Sequence, residues 1–304
     1  MLDRASTFAR PGIVSLLKSE LVPVALDQAY ERRQKDAEGD FYRRIAAQSP
    51  RKDFGNTTQG FYVATASGNL LLYNNNRDPE KIERLLREKL AEFKRSDDAS
   101  ADVAAVAAGT PDPRWNIQPP QGGLVVRVRA KVMEGYEPTD DPWRAIFQSA
   151  VSRDNLWISA AEHQSLAHGD FPESLAHRVA RFHLVDNTRG EPPMWEPEEV
   201  RHVEITIHDG LVTGRFELRT QGGDRSFAGS LRGHFASRNG KLTRLDLVAL
   251  GDFSGGGPFT PHPPPGTFPL AVSFSLANGL DVADALPPQG ARGWLDGYLE
   301  RARR

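Results

Sequence analysis

The strongest constraint on the fold is a change of hydrophobic period in the second half of the chain. From residue 199 to 277, apolar and polar residues alternate with a period of two, and short turn motifs separate the runs. This alternation is typical of antiparallel strands that follow one another in sequence and bury one face. The sequence therefore predicts an antiparallel β-meander, arranged as a sandwich or a partial barrel.

The first tight turn of this region fixes a strand register. Asp209-Gly210 is a strong motif for a two-residue type I′ loop. Counting outward from that loop places Glu204 opposite Arg215 and His202 opposite Glu217. We expect these charged residues to form a ladder on one face of the hairpin.

The second tight turn, at Asn239-Gly240, allows two registers. A two-residue loop sets apolar residues opposite charged ones, whereas a three-residue loop with Gly240 as the bulge residue pairs Phe235 with Thr243. We predict the three-residue loop. It places Arg232 opposite Asp246.

Residues 1–96 combine helical periodicity with short apolar runs, which is typical of an α/β layer. Pro11 fits the first position of a helix, and Leu21–Leu26 is predicted to form a strand. Apolar runs at 61–65 and 70–73 predict a hairpin. Asp78 is a candidate N-cap for a long amphipathic helix.

Residues 97–123 lose this periodicity and are rich in Ala, Asp, Pro, Gly and Gln, which favours a linker. We therefore predict an α/β domain over 1–96, a linker over 97–123 and an antiparallel β-rich domain over 124–304. Two capping-box motifs, Ser159-x-x-Glu162 and Asp170-x-x-Glu173, predict short helices in the last domain. The predicted fold class is α+β.

Composition excludes several classes of function. Lys and Arg total 38 and Asp and Glu total 40, a formal net charge of −2. No broad basic field is available for nucleic acid, so no nucleic-acid partner is expected. No apolar run approaches the roughly 18 residues that would suggest a membrane span, so no membrane insertion is expected.

The chain contains no cysteine, which excludes disulfides, thiolate metal sites and thiol redox chemistry. The opening residues Met1–Ser6 lack an apolar segment, so we expect no signal peptide in the chain as given. The protein is then either cytoplasmic or a trimmed exported protein.

The order of elements in residues 1–96 resembles a thioredoxin-like domain. Ala9-Arg10-Pro11-Gly12 lies where that family carries Cys-x-x-Cys, and Thr58-Gln59-Gly60 lies where it places a cis-proline. The resemblance implies the fold with a degenerate active site and no oxidoreductase activity. The rest of the chain resembles β-rich modules of uncharacterised bacterial proteins.

One candidate site is a divalent metal centre. His202 and Glu204 share a face of a predicted strand, and His234 is a candidate third ligand. Imidazole nitrogen and carboxylate oxygen suit zinc or manganese. The alternative is an ordinary solvated charge ladder, with Arg215 beside Glu204.

A second candidate site is the polar segment from 183 to 191. His183 is a candidate base, Asp186 its orienting carboxylate and Arg189 a clamp for a carboxylate or phosphate, with Glu191 close by. The alternative is structural: Asp186 forms a turn, Arg189 pairs with Glu191, and Trp195 packs on the core.

We expect a non-redox binding or accessory protein whose ligand, a small molecule or a protein, lies in the C-terminal β domain. One alternative is an enzyme, either metal-dependent through His202 and Glu204 or hydrolytic through the 183–191 segment. Another is a protein-interaction scaffold that uses the degenerate thioredoxin-like domain.

Overall fold

The computed structural model describes residues 7–50, 52–56, 60–101, 109–291 and 295–300. The chain divides after Ile117 into an N-terminal unit, Ser6–Ile117, and a C-terminal unit, Gln118–Arg304. This division falls within the stretch 97–123. Among the described residues, no helix is both long and apolar enough to cross a membrane.

The N-terminal unit consists of helices around a small hairpin. Its helices are α1 (Pro11–Glu20), α2 (Gln28–Glu31), α3 (Ala37–Ala47) and α4 (Pro79–Phe93), and its antiparallel strands are β1 (Phe61–Ala64) and β2 (Leu70–Asn74). Both helix-start predictions are confirmed, since Pro11 is the first residue of α1 and the Asp78 carboxylate accepts the backbone N–H of Glu80 and Lys81.

The strand predicted over Leu21–Leu26 is wrong, because this segment has no regular structure. Pro23 has no N–H to donate to a ladder. Val22 and Val24 on either side are 89% and 72% exposed. The core of the unit lies instead between α1, α4 and the hairpin, where Ile13, Ile82 and Leu86 are almost fully buried.

The C-terminal unit contains a seven-stranded sheet. Its strands are β3 (Leu124–Val132), β4 (Asp154–Ile158), β5 (Val200–His208), β6 (Leu211–Arg219), β7 (Ser226–Arg238), β8 (Lys241–Ser254) and β9 (Thr267–Leu276). They lie in the order β4-β3-β9-β8-β7-β6-β5, and every neighbouring pair is antiparallel. The predicted meander is confirmed over β5 to β9.

Four described helices accompany this sheet: α5 (Pro142–Ser149), α6 (Ala160–Ala167), α7 (Glu173–His183) and α8 (Leu295–Glu300). Helix α7 contacts both β4 and β5, the two edge strands of the sheet. A helix can meet both edges only if the sheet curls, and the sheet is a half-barrel. The architecture is therefore α+β, with a partial barrel.

Glycines allow this curl on the face that packs against the core. Gly229 of β7 lies directly opposite Gly251 of β8. A Cβ at Gly251 would overlap the carbonyl oxygen of Ala228, and one at Gly229 would overlap that of Leu250. Glycine in a strand interior commonly marks a close backbone approach or a tight bend. The missing side chains let β7 and β8 approach closely where the sheet bends.

The register predicted at Asp209-Gly210 is confirmed. Glu204 pairs with Arg215 and His202 pairs with Glu217. Both loop residues have positive φ, 49° and 75°, as a type I′ turn requires.

The register predicted at Asn239-Gly240 is wrong, although Gly240 does have a positive φ of 68°. The loop has two residues, since Arg238 pairs with Lys241. A bulge in β8 then inserts Thr243, which restores the apolar phase. Arg232 consequently faces Val248 instead of Asp246.

Of the two predicted capping boxes, the one at Ser159 is confirmed: Ser159 and Glu162 cap the start of α6 reciprocally. The box at Asp170 is wrong. Helix α7 begins at Glu173 itself, with Pro172 in the N-cap position and no side-chain cap.

Candidate functional site

The face of the sheet opposite the core carries an open groove of about 1240 Å³. Six strands contribute polar or charged side chains to its lining: Arg129 (β3), Ser273 (β9), Asp246 (β8), Arg232 (β7), Arg215 (β6) and Glu204 (β5). Successive side chains of a strand point to opposite faces of the sheet. The residues on either side of each buried apolar residue therefore form this open face. The groove is thus built by six of the seven strands.

The registers arrange these side chains in rows across the strands. One row begins at Arg129 and continues through Ser273, Val248 and Arg232 to Thr213 and Thr206. A second row, two residues along each strand, contains Ser275, Asp246, His234 and Leu211. The groove floor is therefore a grid of hydroxyls, charges and a few exposed aliphatic side chains.

The acidic members of the groove each have a cation beside them. Glu204 lies directly opposite Arg215. Asp246 accepts a hydrogen bond from Arg244 Nε at 2.7 Å and lies opposite His234. These neighbours largely offset the negative charge of the two carboxylates.

Two cations in the groove lack such a neighbour. The contacts of the described residues give the guanidinium groups of Arg129 and Arg232 neither an ion pair nor a hydrogen bond. The cross-strand neighbours of Arg232 are Thr213 and Val248, and that of Arg129 on β9 is Ser273. Both residues are exposed. The contacts of the described residues give Arg215 no ion pair either, but it lies opposite Glu204, so Arg129 and Arg232 are the two groove arginines with no carboxylate opposite them.

The predicted metal ligands are distributed over this face without converging. His202 and Glu204 lie on β5 and His234 on β7, with β6 between them. His234 is in the row of His208, which places it roughly 14 Å along and 10 Å across the sheet from Glu204. In the described part of the chain, no group of three or more His, Cys, Asp or Glu residues is placed to hold a metal ion. Glu204 and His234 line the groove.

In the 183–191 segment, the side chains of Asp186, Thr188 and Arg189 are buried and hydrogen-bonded to one another. Asp186 Oδ2 accepts hydrogen bonds from Arg189 Nε and Nη2 at 3.0 and 2.7 Å, and its Oδ1 accepts one from the Thr188 hydroxyl at 2.6 Å. Arg189 Nη1 also donates to the carbonyl oxygens of Thr260 and Pro261. Arg189 is thus already engaged by groups of the protein, and its side chain is fully buried.

His183 belongs to a different group from Asp186. Its Nε2 lies 2.7 Å from the hydroxyl of Tyr298, and its Nδ1 lies 3.2 Å from Asp154 Oδ2, although this second contact lacks hydrogen-bond alignment. All three residues are buried, and burial raises the pKa of the Tyr298 phenol well above its usual range. Glu191, by contrast, is exposed.

The arrangement at His183 joins α7, β4 and α8 through polar side chains in the core. Arg178 supports it by donating from Nε to the backbone oxygen of Tyr298 at 2.7 Å and from Nη1 to Glu162 at 2.7 Å. None of these side chains lines the groove. Their geometry supports a role in holding helices to the sheet.

Comparisons of the sequence and the structure with known proteins matched no family model, no curated protein and no solved structure.

Proposed function

We propose that this chain is a non-redox binding or accessory protein whose ligand lies in the groove on the open face of the seven-stranded sheet. The observation that carries the proposal is the groove itself: about 1240 Å³, lined by polar side chains from six strands. Ligand sites are typically concave regions in which a few polar groups set orientation. The open guanidinium groups of Arg129 and Arg232 are such groups.

The exposed aliphatic residues of the same face also support ligand binding. Val248 lies in the groove between Ser273 and Arg232 and is 48% exposed. An apolar patch among hydroxyls and charges gives a ligand contact area as well as hydrogen bonds. We expect binding to remove this patch from water.

The test compares two variants on one strand. Val248→Trp fills the groove, whereas Leu250→Trp places the same bulk two residues along the same face, at a residue that is 51% exposed and outside the groove lining. Both proteins are screened by thermal shift against panels of carboxylates, phosphates, sugars and short peptides. A compound near 100 times its Kd is expected to raise the wild-type Tm by roughly 5 °C or more.

The expected result is loss of that rise in Val248→Trp and its retention in Leu250→Trp. Binding that survives both substitutions would place the ligand elsewhere and contradict the proposal. Tryptophan is well tolerated in exposed strand positions, so both variants are expected to keep the wild-type fold.

For the N-terminal unit we propose a thioredoxin-like module without redox activity. The order of α1, α3, the hairpin and α4 supports this, together with the absence of cysteine from the sequence, whereas the strand expected between α1 and α3 is absent from residues 21–26, which the structure describes. A scaffold role is the second candidate function, favoured by the exposure of Val22 and Val24. Val22→Ser with Val24→Ser is expected to abolish any partner binding by this unit while leaving its Tm unchanged.

A further inference from the structure

The charge pattern of the groove indicates what kind of ligand it accepts, an inference that rests on the proposed function. Each groove carboxylate has a cation as neighbour, since Glu204 faces Arg215 and Asp246 is bound by Arg244. Arg129 and Arg232 are the groove arginines with no carboxylate directly opposite them on a neighbouring strand. The charge that a ligand has to supply is therefore negative.

The spacing of these two arginines is set by the sheet. They lie in one row, separated by Ser273 and Val248, so three strand spacings of about 4.8 Å place their Cα atoms about 14 Å apart along the surface. In an extended peptide, residues four positions apart point to the same side and are also about 14 Å apart. A guanidinium group binds a carboxylate with two parallel hydrogen bonds.

We infer that the groove binds an extended acidic segment of a partner polypeptide, with carboxylates four residues apart on Arg129 and Arg232. The intervening residues lie over Ser273 and Val248. Ser273 and Ser275 of β9 supply hydroxyls for peptide groups between the two anchors, and the hydroxyls of Thr213 and Thr206 continue the groove beyond Arg232.

The lining favours a peptide over other anionic polymers. Phe274 is the one Phe, Tyr or Trp in the lining, and it is 1% exposed. The imidazole of His234 is the one exposed ring of the lining, so the groove lacks the series of aromatic side chains on which successive bases stack. Its volume also exceeds the roughly 300–1,000 Å³ of a typical small-molecule pocket, and the groove is open, as an extended segment requires.

Fluorescence anisotropy on the full chain tests the inference. The probe is a labelled nine-residue peptide of Ser, Thr and Gly with two glutamates four positions apart. One comparison peptide carries glutamine at both positions, and another carries the two glutamates side by side. We expect the first peptide to bind with a micromolar Kd and both others to bind at least tenfold more weakly.

Single substitutions test whether peptide binding depends on the two arginines. Arg129→Ala and Arg232→Ala are each expected to weaken binding at least tenfold. Lys131→Ala is the matched control, because Lys131 is an exposed cation two residues from Arg129 on the same strand and outside the groove lining. It is expected to change Kd less than twofold. Arg232→Glu is expected to lose the glutamate peptide and to bind a peptide with lysine at that position.

Three outcomes would overturn the inference. The first is peptide binding that Arg129→Ala and Arg232→Ala leave unchanged, and the second is equal binding of the glutamine peptide. The third is binding of polyphosphate or polyuronate that depends on the two arginines and is tighter than binding of the peptide. This outcome would reject a peptide ligand but keep the groove as a binding site. If no probe depends on either arginine and Val248→Trp changes no binding, the proposed function fails as well.

Discussion

At the scale of single residues, the Asp186–Arg189 pair shows how burial decides the role of a polar side chain. The side chains of Asp186 and Arg189 are 1% and 0% exposed. Besides their mutual ion pair, Asp186 Oδ1 accepts a hydrogen bond from the Thr188 hydroxyl, and Arg189 Nη1 donates to the backbone carbonyls of residues 260 and 261. A guanidinium group in such a place depends on its carboxylate, because an isolated buried charge is very costly.

Asp186→Ala is therefore expected to lower the free energy of unfolding by about 3–5 kcal/mol, since it leaves Arg189 buried without its counter-ion. Urea denaturation followed by circular dichroism measures the change. Asp170→Ala, at an exposed position of the same unit, is the control and is expected to stay within about 0.5 kcal/mol of wild type. A loss below about 1 kcal/mol in Asp186→Ala would contradict the structural role.

Glu31 in the N-terminal unit makes stability depend on pH near neutrality. Burial above all, and then the nearby carboxylates of Glu38 and Asp36, raise its pKa to about 7 against the opposing charge of Arg43. The folded state therefore binds a proton more tightly than the unfolded chain does. The resulting stabilisation is complete below about pH 4.5 and is lost as the pH rises through about 7.

Glu31→Gln removes this titration. Between about pH 5 and pH 8, wild type is expected to lose about 1–2 kcal/mol more stability than the variant, after allowance for the partial solvation of the site. Thermal denaturation across this range gives the comparison. Parallel pH profiles of the two proteins would show that Glu31 titrates normally.

Residue types alone identified the polar segment 183–191 but not the connections within it. The Asp186 turn follows from local sequence, because an Asp side chain commonly binds the backbone two residues on. Asp154 and Tyr298, the neighbours of His183, are distant in sequence and come close only through the fold. No spacing rule links them to His183.

At the scale of elements, local turn chemistry was a sufficient guide for one hairpin and an insufficient one for the other. The β5–β6 register follows from Asp209-Gly210 because the strands run without interruption from the loop. In β7–β8 a bulge at Thr243 shifts the pairing, and no residue type in the sequence requires a bulge there. The grouping of Arg232 with Arg129 in one row depends on that shift.

The contact between Gly229 and Gly251 gives a prediction about the curled sheet. Gly251→Ala is expected to destabilise the protein by more than about 2 kcal/mol, because the new methyl group meets the Ala228 carbonyl, which belongs to the neighbouring strand and has little room to move. Gly222→Ala is the control, since the nearest atom to its Cβ is an Asp224 carboxylate oxygen at 3.5 Å. Equal Tm values for the two variants would show that the strands have room for a side chain.

At the scale of the whole molecule, the division after Ile117 separates two cores. The C-terminal unit contains every strand of the seven-stranded sheet and every residue of the groove lining. The aromatic contacts of its core, such as Phe227 with Phe253 and Trp195 with Phe253, also lie within it.

A fragment of residues 118–304 is therefore expected to fold cooperatively and to retain peptide binding within about twofold of the full chain. Calorimetry and anisotropy measure the two properties. The fragment lacks Glu31, so its pH profile is also expected to lack the change assigned to that residue. A fragment without a cooperative transition would contradict the division.

The close approach of neighbouring strands at glycines has a consequence for recognising related chains. Four core-facing strand positions, Gly214, Gly229, Gly233 and Gly251, would each bring a Cβ into a backbone carbonyl of the next strand. The curl thus requires residues without a side chain at these four positions, whereas the apolar positions around them can exchange one aliphatic residue for another. A search for distant relatives of this sheet should weight those four glycines above its hydrophobic pattern.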